Sequence, residues 1–142
     1  ADSSVSAYLD GFTLDDQKNV GQIFSSLGTS SSSVLINLAE LAHRWVGMAR
    51  FCSLKKSESV LVEFESLLRE MSNKKDLSKI DPNILTQLSE TGKECLLYLG
   101  LFRDAIEKGE AEESILTDPE VLAKYDRLIS GMQILKFDLE MA

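Results

Sequence analysis

The chain has 142 residues, 44% of them hydrophobic, and its 15 Lys and Arg against 23 Asp and Glu give a formal net charge of −8. That length builds one domain with a sizeable core, and no apolar run approaches the roughly 20 residues that span a bilayer. The acidic balance argues against binding nucleic acid or anionic lipid, whose phosphates are held by Lys and Arg, and favours a partner with a basic docking surface. With one histidine and two cysteines, Cys52 and Cys95, that do not sit as a close pair, no zinc site is expected. Both thiols fall among apolar helical positions and read as buried and reduced, as in the cytoplasm.

In chain order, residues 1–12 are small and polar, with Val5, Tyr8 and Leu9 spaced for a short helical turn that packs on the body. Thr13 followed by Asp16 reads as a variant capping box, after which Val20, Ile23, Phe24 and Leu27 recur at helical spacing. Gly28 is a candidate helix end, and the serines from Ser30 to Ser33 form a loop that supplies a cap for the next helix. That second helix is expected from about Val34 to Phe51. A third shows Val60, Leu61, Phe64, Leu67, Leu68 and Met71 on one face, with Glu58, Glu63, Arg69 and Glu70 off it and Glu65 on its flank. Residues 72–80 read as a charged loop. Asp81-Pro82 then gives an N-cap with proline at the first helical position, and a long fourth helix runs to Lys108, ended by Gly109; Gly92 and Gly100 weaken it or allow close helix approach. Residues 110–113 read as a solvated acidic connection. Asp118-Pro119 repeats the cap-then-proline signal before a fifth helix containing Val121, Leu122, Tyr125, Leu128, Ile129, Met132, Leu135 and Leu139. No strand pattern occurs. The expectation is an all-α, up-and-down antiparallel four-helix bundle with an additional C-terminal helix.

The second helix carries the only histidine. At about 100° per residue, Leu38, Leu41, Ala42, Trp45, Met48, Ala49 and Cys52 make an apolar stripe centred roughly 150° from His43. His43 therefore faces outward with Glu40, Gly47 and Arg50. A mid-helix glycine costs about 1 kcal/mol relative to alanine, so bare backbone at Gly47 beside an exposed imidazole suggests close approach by a partner. Free imidazole titrates near pH 6.5, about where a ring nitrogen becomes available to attack phosphorus. A carboxylate holding one ring N–H aims the other nitrogen, and a nearby cation offsets the charge of the product.

From about Ile36 to Leu139 the chain resembles a histidine phosphotransfer domain of the kind found at the N-terminus of chemotaxis histidine kinases. The resemblance rests on Ala42-His43 through Gly47, an apolar helix with an acidic residue, a polar loop, the Asn83-Ile84-Leu85 start and the long helix that follows. It implies His43 as phosphoacceptor, Glu65 as the carboxylate that orients it and Gly47 as the opening for a partner. The family motif reads His-x-x-Lys-Gly, where this chain has His43-Arg44-Trp45-Val46-Gly47. Val46 thus replaces the lysine that contacts the phosphoryl group, Val62 replaces a second, less general histidine, and Met48-Ala49-Arg50 replaces a glycine-rich run. Arg50, on the same face as His43 within two turns, is the candidate cation, and Arg44 lies about 100° away.

The function expected is that of a phosphocarrier: His43 accepts a phosphoryl group from the catalytic domain of a histidine kinase, or from an aspartyl phosphate, and passes it to the receiver domain of a response regulator. No glycine-rich phosphate loop is present, so ATP binding, cofactor and metal are not expected of this domain. Scattered serines around one histidine do not make a hydrolase triad. Two other readings remain: a degenerate relative that docks signalling partners without transferring phosphate, and a helical adaptor outside signalling.

Overall fold

The computed structural model describes residues 3–142, apart from the side chains of residues 3–5 and Ala7. Among the described residues all regular structure is helical: α1 (Ser3–Gly11), α2 (Leu14–Ser25), α3 (Ser32–Phe51), α4 (Lys55–Ser72), α5 (Pro82–Glu107), α6 (Glu112–Ile115) and α7 (Pro119–Met141), with 3-10 turns at Leu27–Thr29 and Leu77–Lys79. The expected packing of Val5 lies outside the described side chains.

Local chemistry sets most helix starts. Thr13 accepts a hydrogen bond from the amide of Asp16 at 3.1 Å, and Ser31 accepts one from Val34 at 3.3 Å. Asp81 and Asp118 each cap two residues ahead, on Asn83 and Glu120, at 2.9 Å, with proline opening both helices. These bonds satisfy amides that have no partner within the helix. The ends are equally specific. At the end of α5 the amide of Gly109 donates to Ile106 at 3.0 Å and that of Glu110 to Ala105 at 2.8 Å, and Gly109 adopts φ +79°. This is the Schellman arrangement. The end of α3 repeats it with Ser53 at φ 59°, its amide donating to Arg50 and that of Leu54 to Ala49. Gly28 does not end α2: the helix stops at Ser25, and Gly28 lies inside the following 3-10 turn without a positive φ.

The largest interface is between α3 and α4, followed by α4 with α7, α2 with α5 and α5 with α7. The last helix is thus packed against both α4 and α5. Side-chain pairs across α3 and α4 join residues 40 and 69, 43 and 65, and 50 and 58. Their numbers rise on one helix as they fall on the other, so the two run antiparallel, joined by three residues. The expected stripe of α3 is buried or half-buried throughout. Trp45, Phe12, Phe24, Phe64 and Phe102 are fully buried, with Phe12 edge-on to Trp45 at 4.6 Å and Phe24 against Phe64 at 5.7 Å. Gly92 is required by this packing, because the Phe24 ring lies where its Cβ would be.

The first helix is pinned rather than appended. Tyr8 and Phe12 are fully buried, the Trp45 indole donates to the carbonyl of Gly11 at 2.9 Å, and the Arg103 Nε donates to that of Phe12 at 2.8 Å. Those two donors occupy carbonyls left open at the C-terminus of α1. Cys95 is fully buried, which pushes its thiol pKa up, while Cys52 caps α3 in a half-buried position. Among the described residues no helix is long and apolar enough to cross a membrane, and no cluster of His, Cys, Asp and Glu is arranged to hold a metal ion.

Candidate functional site

His43 sits near the middle of α3, on the face opposite its buried stripe, and its side chain is 66% exposed. Glu65, on α4, is 16% exposed and places Oε1 at 3.2 Å from the His43 Nδ1. An ionised carboxylate only accepts hydrogen bonds, so in this pair Nδ1 carries the proton. In the neutral ring Nε2 then carries the lone pair. Glu65 reaches the imidazole from the flank of α4's apolar stripe, whose Phe64, Leu67 and Leu68 are buried. Packing of those residues fixes the helix and hence the carboxylate.

The second oxygen of Glu65 accepts from Arg69 Nε at 2.8 Å, one turn along α4, and Arg69 Nη1 lies 3.5 Å from Glu40. The hydrogen bond that Arg69 donates to Glu65 is the main cause that raises the Arg69 guanidinium pKa further above its ordinary range, with the charges of Glu65 and Glu40 adding to it. Four residues therefore form one connected set across α3 and α4: Glu40, His43, Glu65 and Arg69. Arg69 belongs to the off-stripe residues in the sequence reading, yet its i,i+4 spacing from Glu65, acid first, is the favourable orientation for an ion pair on a helix. That spacing is the signal by which it could have been found.

Arg50 is placed elsewhere. It shares the outward face of α3, but its Nε donates to Glu58 at 2.9 Å, one end of the helix pair away from the His43 set. Arg44 is exposed. Gly47 is exposed, and nothing within 4 Å would meet a Cβ added there. The glycine therefore has no role in the packing of the chain itself. Val46 is buried and belongs to the packed core rather than to the exposed face of His43. Val62 is exposed on α4.

Ile36 and Phe51 are exposed about two turns to either side of His43 on α3.

One carboxylate departs from the expected solvated faces. Glu112, in the connection after α5, is 4% exposed. Its Oε1 accepts from the amide of Lys56 at 3.1 Å and its Oε2 from that of Ser57 at 2.9 Å, with the Ser57 hydroxyl donating to Oε2 as well. Leu54, which precedes α4, offers no side-chain cap. Glu112 supplies from 55 residues away what the local sequence lacks, a negative charge on the amides of the first turn. Tyr8 is buried beside it, and burial pushes its phenol up to about 12, with Ser57 opposing and the Glu112 charge adding.

Comparison of the chain with protein-family models, with curated proteins and with solved structures finds no match in any of the three.

Proposed function

We propose that this chain is a histidine phosphotransfer module of a two-component, chemotaxis-type phosphorelay, folded as an up-and-down antiparallel four-helix bundle to which α7 adds a further long helix. The observation that carries the reading is the contact of Glu65 with the His43 Nδ1 at 3.2 Å, beneath a ring that is otherwise open to solvent. Nε2 attacks phosphorus, a P–N bond forms, and the P–O bond to the donor, ATP or an aspartyl phosphate, breaks with its electron pair leaving on oxygen. Positive charge develops on the ring as this happens, and Glu65 counters it through Nδ1–H without a proton having to depart. Transfer onward to the receiver domain of a response regulator reverses the same step onto a carboxylate oxygen.

The surroundings support docking of such partners. The bare backbone at Gly47 leaves room one turn from the imidazole, and Ile36 and Phe51 are exposed apolar residues about two turns to either side on the same helix. The cytoplasmic partners are a histidine kinase catalytic domain and a receiver domain; ATP is bound by the kinase.

A second reading, a docking module that binds such partners without transferring phosphate, is favoured by a specific feature. Arg69 is engaged by Glu65 and Glu40, Arg50 by Glu58, and Val46 stands in place of the lysine. The phosphoryl group would then meet Glu65 and Glu40 with those two cations already paired.

The deciding experiment incubates the purified domain with a chemotaxis-type kinase catalytic core and ATP, with His43→Gln as control. Acid-labile phosphate on the wild type, absent from His43→Gln at unchanged helical circular dichroism, is the expected result. Equal labelling of His43→Gln sinks the phosphocarrier reading. No label on either, with the kinase active on its own substrate domain and a receiver domain still bound, selects the docking module.

A further inference from the structure

The outer face of α5 carries a charge pattern that is complementary to itself. At about 100° per residue, Glu90, Lys93, Leu97, Leu101, Asp104 and Lys108 lie within roughly 40° of one line along the helix, and all six are exposed. From the N-terminal end the stripe reads acid, base, leucine, leucine, acid, base. Reversed, every charge changes sign and the leucines stay in place. Two such stripes laid antiparallel about a two-fold axis near residue 99 pair Glu90 with Lys108, Lys93 with Asp104 and Leu97 with Leu101, each twice. The axial mismatch is no more than about one residue, 1.5 Å. A parallel arrangement in register would set each charge against its own kind.

Apolar surface at the centre of the stripe is uncovered. Leu97 is 70% exposed, Leu101 is exposed beside it, and α2 adds Leu14 at 65%. Between them α2 and α5 bound an open groove of about 500 Å³ in which Gly100 presents only backbone. Exposed apolar residues gathered along one groove, with charges at both ends, are the composition of an interface core and its rim.

We propose that this face is a homodimer interface, occupied by a second copy of the chain docked antiparallel through α5. A second copy carries the required order of charges on an equally exposed stripe, and an isologous contact of this kind closes on itself without building a filament. The groove is formed by α2 and α5, whereas His43 and Glu65 lie on α3 and α4. Dimerisation and phosphotransfer therefore stand or fall separately.

Sedimentation velocity between about 10 μM and 1 mM protein, at low and high salt, tests the interface. The wild type is expected to shift toward dimer with concentration, less so at high salt. The double variant Leu97→Glu/Leu101→Glu is expected to stay monomeric throughout. Lys93→Glu and Asp104→Lys are each expected to weaken association about tenfold. Mixing these two single variants restores it, as does combining both changes in one chain. The restoration also keeps the test decisive if the leucine variant fails to fold by circular dichroism. A wild type that is monomeric over the whole range overturns the proposal, as does a dimer that the leucine and charge variants leave unchanged.

Discussion

Glu65 and Glu112 both act on α4, and they do so in opposite ways. Glu112 is buried, and its two oxygens meet backbone amides of the first turn at 3.1 and 2.9 Å. Those donors are fixed in space, so the carboxylate is fixed too, and it acts as a helix cap. Glu65 is half-buried at the edge of α4, with one oxygen on an imidazole and the other on a guanidinium. Both of those partners are side chains that can turn, so under the proposed function Glu65 serves to orient the ring rather than to hold the fold. The same functional group is a helix cap where it satisfies buried main chain and a link between side chains where it meets solvent-facing partners.

The sharpest way to break this comparison is to remove each carboxylate in turn. Glu112→Ala leaves two amides and the Ser57 hydroxyl without their acceptor in a buried place, and is expected to cost about 2–4 kcal/mol in a denaturant titration. A loss under about 0.5 kcal/mol would put Glu112 with ordinary surface carboxylates. Next in size is the alkaline limb of stability. The Tyr8 phenol is pushed from its ordinary value of 10.0 to about 12 in the folded chain, so the unfolded chain loses this proton first. Stability is therefore level through neutral pH and falls as pH rises from 10 to 12, by on the order of 2 kcal/mol. Absorbance of tyrosinate alongside circular dichroism follows it, and Tyr8→Phe is expected to make the limb shallower, the remainder coming from Cys95, Tyr98 and Tyr125, which burial also raises.

On the other side of the comparison, Glu65→Ala is expected to change stability by less than about 1 kcal/mol, as for exposed ion pairs. The same variant should slow labelling of His43 by about tenfold or more, read by acid-labile phosphate over time. A labelling rate equal to wild type would make Glu65 a surface carboxylate with an incidental neighbour. The smallest effect expected is that of Gly47→Ala. Nothing in the chain meets the added methyl group, so the helix gains up to about 1 kcal/mol while transfer to a docked partner slows. A faster or unchanged transfer rate would remove the reason for a glycine at this place.

Much of the fold was legible because its signals are local. Asp81-Pro82, Asp118-Pro119 and Thr13 cap within two or three residues of themselves, and Gly109 ends its helix with its own backbone. The outward placement of His43 followed from helical phase, which depends on nothing but spacing. The Glu65 side chain was legible at one remove, from its position on the flank of the α4 stripe and from the resemblance to phosphotransfer domains. Arg50 shows the limit of phase: it shares the face of His43, but the antiparallel register of α3 and α4 sets Glu58 beside it and brings Arg69 to the His43 set.

By itself, then, the sequence determined most helix boundaries, the end of α2 and the cap of α4 excepted, as well as the buried stripe of α3 and the way the single imidazole faces, since these depend on contacts within about one helical turn. Only the tertiary structure decided which charges meet. Glu112 reached α4 from a segment 55 residues on, and Arg69 took its place through helix register. Long-range pairing depends on how helices are seated against one another, and that is set by the joint packing of many side chains rather than by any local run of residues.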